Sequence, residues 1–147
     1  MKIGIIGAMD IEVKELINSM KDIKKETISS IDFYEGTLQG KNVVVAECGV
    51  GKVHAAVCTQ TMILKYSPDA IVNTGVAGSL STDLDIADIV ISDGVVQHDF
   101  DVSSFGKPVG LISGIDLIKI PCNEELVKKL QNAAKILKDT NVIVGTV

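Results

Sequence analysis

Lys2–Ile17, KIGIIGAMDIEVKELI, changes hydrophobic period in its middle, and that change decides the fold. Lys2 to Ile6 is a short, almost wholly apolar run, the pattern of a strand buried on both faces of a parallel sheet. Gly4 and Gly7 allow backbone or ligand to come close. From Asp10 the spacing turns helical, because Val13, Leu16, Ile17 and Met20 recur at intervals of three and four and mark one face as core. Glu12 stands four residues before Leu16, on the same inward side and in the first helical turn. A carboxylate there has the positive end of the helix dipole beside it, at the carboxyl end of a strand, where open α/β sheets hold ligands. Asp10 and Glu12 are equally what the dipole selects in an ordinary first turn, so the spacing alone leaves both readings open.

The composition narrows the class of protein. With 147 residues and 46% hydrophobic content, the chain can bury a core and is expected to form one α/β domain over residues 1–147. No apolar run approaches the ~20 residues of a spanning helix. The apolar start is broken by Asp10 and Glu12 before any small-residue cleavage site, so it reads as a mature strand and not a signal peptide. Net charge is −5, and all 14 basic residues are lysines, with no arginine in the chain. Bidentate grip on phosphate or guanine is largely arginine chemistry, and aromatics are limited to three Phe and two Tyr, which argues against nucleic-acid binding. Cys48, Cys58 and Cys122 are odd in number and widely spaced, the usage of a reduced, cytoplasmic protein and not of a disulfide framework or zinc site.

Further along, Lys21 to Ser30 reads as a charged and polar link. Asp32 to Leu38 and Asn42 to Cys48 read as a hairpin turned by Gln39-Gly40-Lys41, so the sheet is expected to be mixed. Gly49-Val50-Gly51-Lys52 opens a helix to about Tyr66, with Val53, Val57, Met62 and Leu64 as core contacts. This loop lacks the third glycine of G-x-G-x-x-G and the spacing of a Walker loop, and a tight strand-to-helix turn explains it. Asp69 to Asn73 reads as a third buried strand running into Thr74-Gly75-Val76-Ala77-Gly78-Ser79. Small residues after a strand let a flat ligand lie on the backbone, although small residues chosen for packing look the same. Ile86 to Val96 reads as a strand, followed by His98-Asp99-Phe100-Asp101, a weak metal-ligand pattern, and by Phe105 in a polar loop. Asn123 caps a helix to about Leu137, with Lys135 and Lys138 in its last turn. Asn141 to Val147 reads as a buried strand that needs covering on its far side, so the natural protein is expected to continue beyond it.

Taken together, KIGIIGAMDIEV, FYEGTLQGKNVVVAECGVGKVHAA, IVNTGVAGSL and HDFDVSSFG resemble the bacterial 5′-methylthioadenosine/S-adenosylhomocysteine nucleosidases of the nucleoside phosphorylase superfamily. The resemblance runs in order through nearly the whole chain. It implies an α/β fold with a mixed central sheet flanked by helices, a homodimer, and no metal or organic cofactor. It implies hydrolysis of the N-glycosidic bond of methylthioadenosine and S-adenosylhomocysteine. Glu12 matches the carboxylate that acts on the attacking water. Met9 and Val50 match apolar positions of the ligand pocket, Val50 standing for a commoner isoleucine. Ala77 and Gly78 match the small platform beside the nucleoside, and Phe105 an aromatic that reaches the partner subunit's site. Val76 departs from members with serine there. The family's leaving-group acid lies in an R-x-x-S-D motif absent from residues 1–147, so this chain is expected to be catalytically incomplete.

Three rival readings follow from the same residues. A purine nucleoside phosphorylase would hold phosphate with arginines, one of them at Asn73, and with a serine at Val76. A non-catalytic nucleoside-binding module would keep the fold without the chemistry. A dinucleotide binder rests only on the glycine-rich opening.

Overall fold

The computed structural model describes residues 1–147, which divide into two compact units, Met1–Val76 and Ala77–Val147. The first is built on a five-stranded mixed sheet: β1 (Lys2–Gly7), β2 (Lys21–Ile28), β3 (Ile31–Leu38), β4 (Lys41–Glu47) and β5 (Ala70–Asn73). Their order across the sheet is β2-β3-β4-β1-β5, with β4, β1 and β5 parallel and β2, β3 and β4 antiparallel to their neighbours. Helices α1 (Asp10–Asn18) and α2 (Lys52–Tyr66) link these strands.

Strand β4 shows why its run of apolar residues does not alternate. Val43 and Val45 pack with Val13 and Met20 on the α1 side, while Val44 and Ala46 pack with Ile6, Phe33, Cys58, Met62 and Tyr66 on the α2 side. A sheet covered on both faces asks for apolar side chains at consecutive positions. Gly4 of β1 lies where the α2 side is most crowded, since a Cβ there would collide with the sulfur of Met62. The rings of Phe33 and Tyr66 stack with centroids 5.4 Å apart.

The segment from Lys21 to Ser30 is a strand and not the polar link its composition suggests. β2 is an edge strand with seven of its eight residues exposed, so it has no buried face to impose an apolar alternation. Lysines on a sheet edge also discourage pairing with other chains. Its hairpin with β3 turns through Ser29 and Ser30, both at positive φ (52° and 62°), a geometry that the sequence does not announce because neither residue is Gly, Asn or Asp. The β3–β4 turn uses Gln39 and Gly40 in the same way, at φ 49° and 73°.

Helix α2 starts and ends where expected, and Met62 is the core contact it was expected to be, but the rest of its inward face differs. Cys58, Met62 and Tyr66, spaced by four, are buried, whereas Val53, Val57 and Leu64 are exposed. Helical spacing identifies two apolar stripes on this helix and cannot say which one meets the sheet. Strand β5 is half-buried at the sheet edge and not fully buried.

The second unit carries a three-stranded sheet in the order β7-β6-β8, from β6 (Ile89–Val96), β7 (Lys119–Pro121) and β8 (Val142–Thr146). β8 runs parallel to β6 and β7 antiparallel. β6 begins three residues later than the apolar pattern suggests, because Asp88 is used as an anchor: its carboxylate accepts from the backbone N–H of Asn141 (3.2 Å) and of Asp85 (2.8 Å). Helix α3 (Glu124–Ala134) is capped by Asn123, whose Oδ1 accepts from the N–H of Leu126 at 3.0 Å. It stops at Ala134 and not near Leu137; Lys135 and Lys138 lie past the helix, and Lys135 donates to Asn132 at 2.8 Å. β8 is half-exposed, at the edge of its sheet, and not the buried strand its sequence suggests.

Candidate active site

Parallel strands β4, β1 and β5 end at the same edge of the first sheet, where Cys48–Val50, Ala8–Met9 and Thr74–Val76 follow them. Ligands of open α/β sheets bind at that edge. The chain segments there are tied together by backbone bonds, Cys48 N–H to the Gly7 carbonyl at 2.8 Å and Thr74 N–H to the Ile6 carbonyl at 2.9 Å.

Glu12 is the charged side chain gathered into this corner. As the third residue of α1 it reaches back over the helix start, and Oε2 accepts from the N–H groups of Ala8 (2.7 Å) and Met9 (3.0 Å). Oε1 accepts from the N–H of Val76 at 2.9 Å, across 64 residues of sequence. Three donors fix both oxygens, and the N-terminal end of α1 adds a favourable dipole. The carboxyl is accordingly held below its ordinary value of 4.5, chiefly by the Val76 N–H and further by Met9 and Ala8, against partial desolvation that pushes the other way.

Two glycines make room for this arrangement. A Cβ on Gly75 would stand 2.5 Å from Glu12 Oε1 and 2.9 Å from its Cδ. A Cβ on Gly7 would stand 2.6 Å from Val13 Cγ1 and 3.1 Å from the Glu12 Cβ. Neither glycine has a left-handed φ, so the need is for space and not for backbone freedom. The close approach of Gly7 was legible from the glycine-bearing strand, but the pairing of Gly75 with Glu12 was not, because no sequence signal joins residues 63 apart.

The other predicted residues fall into two groups. Met9 caps α1 half-buried, and Val50 lies in the turn between β4 and α2 with its side chain 71% exposed, so both stand at the same sheet edge as Glu12. Val76 contributes its N–H while its side chain is 81% exposed. Ala77, Gly78 and Phe105 belong to the second unit and are exposed, Phe105 in a single 3-10 turn, Ser103–Phe105. His98, Asp99 and Asp101 lie in the loop after β6, where the Asp101 carboxylate accepts from the Ser103 N–H at 2.8 Å in an ordinary side-chain turn. A cavity of about 370 Å³ also opens in the first unit, lined by Asp10, Ile17, Tyr34, Glu47, Cys48 and His54 among others. Glu12, Met9 and Val50 are not part of its lining.

The fold thus presents a mixed sheet covered on both faces with the Glu12 carboxylate at its parallel-strand edge, and a model of the phosphorylase superfamily matches residues 2–147. The chain belongs to that superfamily. Within it, the chain is 46% identical over all 147 residues to the 5′-methylthioadenosine/S-adenosylhomocysteine nucleosidase of Shewanella pealeana. The crystal structure of the nucleosidase of that name from Neisseria meningitidis, in complex with methylthio-immucillin-A, superposes with a TM-score of 0.94 at 33% identity over 99% of the chain. The futalosine hydrolase of Helicobacter pylori superposes with a TM-score of 0.91, also at 33% identity over 99% of the chain. The chain spans 64% of the length of the Shewanella relative and 62% of each of the two structures.

Proposed function

We propose that this protein hydrolyses the N-glycosidic bond of 5′-methylthioadenosine and S-adenosylhomocysteine, releasing adenine and a thioribose product. The observation that carries the reading is the Glu12 carboxylate, kept ionised by three backbone N–H groups at the edge where β4, β1 and β5 end. Its similarity to enzymes named for these two substrates supports the choice of nucleoside.

The chemistry follows from the charge. The C1′–N9 bond breaks ahead of water attack, leaving an oxocarbenium-like sugar. A fixed carboxylate near that cation stabilises it and accepts the proton that water gives up as its oxygen bonds to C1′. A base that is ionised throughout the neutral range suits this task, and backbone donors hold it in place without competing charge. In this reading Met9 and Val50 line the pocket, Ala77 and Gly78 lie beside the nucleoside, and Phe105 serves the site of a second copy in a homodimer. No metal or organic cofactor takes part, and the protein works in the cytoplasm. Departing adenine needs a proton of its own.

The test is adenine release from methylthioadenosine by the 147-residue chain, with and without phosphate, alongside calorimetric measurement of nucleoside binding. Nucleoside binding is expected, with adenine release that is unaffected by phosphate. Release that depends on phosphate and yields a sugar phosphate would make it a phosphorylase, and absence of nucleoside binding would remove the proposal. Futalosine belongs in the same assay, because a futalosine hydrolase is among the similar structures.

A further inference from the structure

The turn that carries Val50 is flanked by two glycines in left-handed conformations, Gly49 at φ 85° and Gly51 at φ 106°. Residues without Cβ on both sides leave such a turn little stiffness of its own. It is anchored before Val50 by the Cys48 N–H on the Gly7 carbonyl (2.8 Å) and after it by the Ala55 N–H on the Gly51 carbonyl (3.1 Å). Between these anchors, the Val50 carbonyl lies 2.9 Å from Nδ1 of His54, in the first turn of α2. A carbonyl oxygen only accepts, so Nδ1 carries the hydrogen and donates it, and the neutral ring is fixed as the Nδ1–H tautomer. The ring also lies over Gly49, where a Cβ would stand 3.3 Å from Nδ1.

We propose that His54 is a positioning residue for the nucleoside pocket, tethering the Gly49–Gly51 turn through the Val50 carbonyl so that Val50 is held against the ligand. The role at the pocket rests on the reading of Val50 as a pocket residue given above. The tether rests on geometry alone. Because both ring nitrogens of a protonated imidazole are donors, the tether persists when His54 is charged.

Three substitutions separate the tether from mere bulk. Asparagine places an amide N–H near the position of Nδ1, glutamine places it near Nε2, and alanine removes it. In the 147-residue chain, long-range proton–nitrogen spectra at pH 8 are expected to show His54 as the Nδ1–H tautomer, with the exposed His98 as a reference in the same sample. Amide exchange at Cys48 and Ala55, the hydrogen-bonded N–H groups that anchor the turn, is expected to rise on the order of five-fold in H54A and H54Q and to stay within about two-fold in H54N, the scale of one ordinary hydrogen bond. Methylthioadenosine affinity is expected to follow the same order. An Nε2–H ring, or equal exchange in all three variants, overturns the tether. Correct exchange behaviour with unchanged nucleoside affinity overturns the role at the pocket. If the unsubstituted chain binds no nucleoside, the proposed function and that pocket role both fall, and the tautomer and exchange data still decide the tether.

Discussion

Glu12 Oε1 accepts a 2.9 Å hydrogen bond from the backbone N–H of Val76, joining the first turn of α1 to the segment after β5. Because the donor is main chain, no side chain at position 76 is needed to hold the carboxylate. The valine at position 76 therefore leaves this contact intact.

Glu12→Gln converts one acceptor oxygen into an amide facing N–H donors. Loss of hydrogen bonds to a charged group is expected to destabilise the fold by about 1–3 kcal/mol, read from the midpoint of urea unfolding. Whatever adenine release the chain supports is expected to fall by about 10²-fold or more, in keeping with the loss of a positioned base. Unchanged release in this variant would remove Glu12 from the chemistry.

Gly75→Ala is expected to disturb Glu12 although the substituted residue carries no functional group. The added methyl would stand 2.5 Å from Oε1, so either the carboxylate or the Thr74–Val76 segment must shift, at a cost of about 1–3 kcal/mol. Carbon-detected titration of the Glu12 carboxyl is expected to show its pKa returning toward 4.5 as the Val76 bond is lost. Gly78→Ala serves as the control for stability and for the Glu12 titration, because a Cβ there meets nothing within 4 Å, and both are expected to stay unchanged.

The pH dependence follows with its sign. The folded-state pKa of Glu12 is depressed below 4.5, so its contribution to stability is fully present above that unfolded value and is lost as pH falls through the lower folded value. The stability advantage of the unsubstituted chain over Glu12→Gln should therefore be constant from pH 7 to about 5.5 and shrink below 4.5. Unfolding midpoints of both proteins measured between pH 3 and 7 check this, and a constant difference down to pH 3 would contradict it.

The three cysteines should differ in reactivity. Cys58 is fully buried in the α2-side core, and burial pushes its thiol up to about 12, while Cys48 beside it is raised in the same direction. Thiolate is the reactive form. Cys122, half-buried in the second unit, is therefore expected to be labelled first by a thiol reagent under native conditions, with Cys58 reacting only on unfolding. Peptide mass mapping of the labelled chain distinguishes the order.

Where the fold was legible, the signals are local. The apolar run Lys2–Ile6, the period change at Asp10, the Gln39-Gly40 turn and the Asn123 cap each act within a few residues. They correspond to β1, α1, the β3–β4 hairpin and the start of α3. β2 was missed because an exposed edge strand has no buried face, and a Ser29–Ser30 turn at positive φ leaves no compositional trace. The inward face of α2 was read correctly at Met62 but not at Val53, Val57 and Leu64, which satisfy helical spacing as well as Cys58 and Tyr66 do.

By itself the sequence carried the resemblance to the superfamily, through four motifs in order along the chain, and placed an acid at position 12 in the first turn of a helix that follows a strand. Only the tertiary structure decided what holds that acid. Its three donors come from Ala8, Met9 and Val76, and its clearance from Gly75, groups brought together when β1 and β5 pair in parallel. A backbone N–H has no residue identity, so a contact built from main-chain donors becomes visible only once the strands are in register.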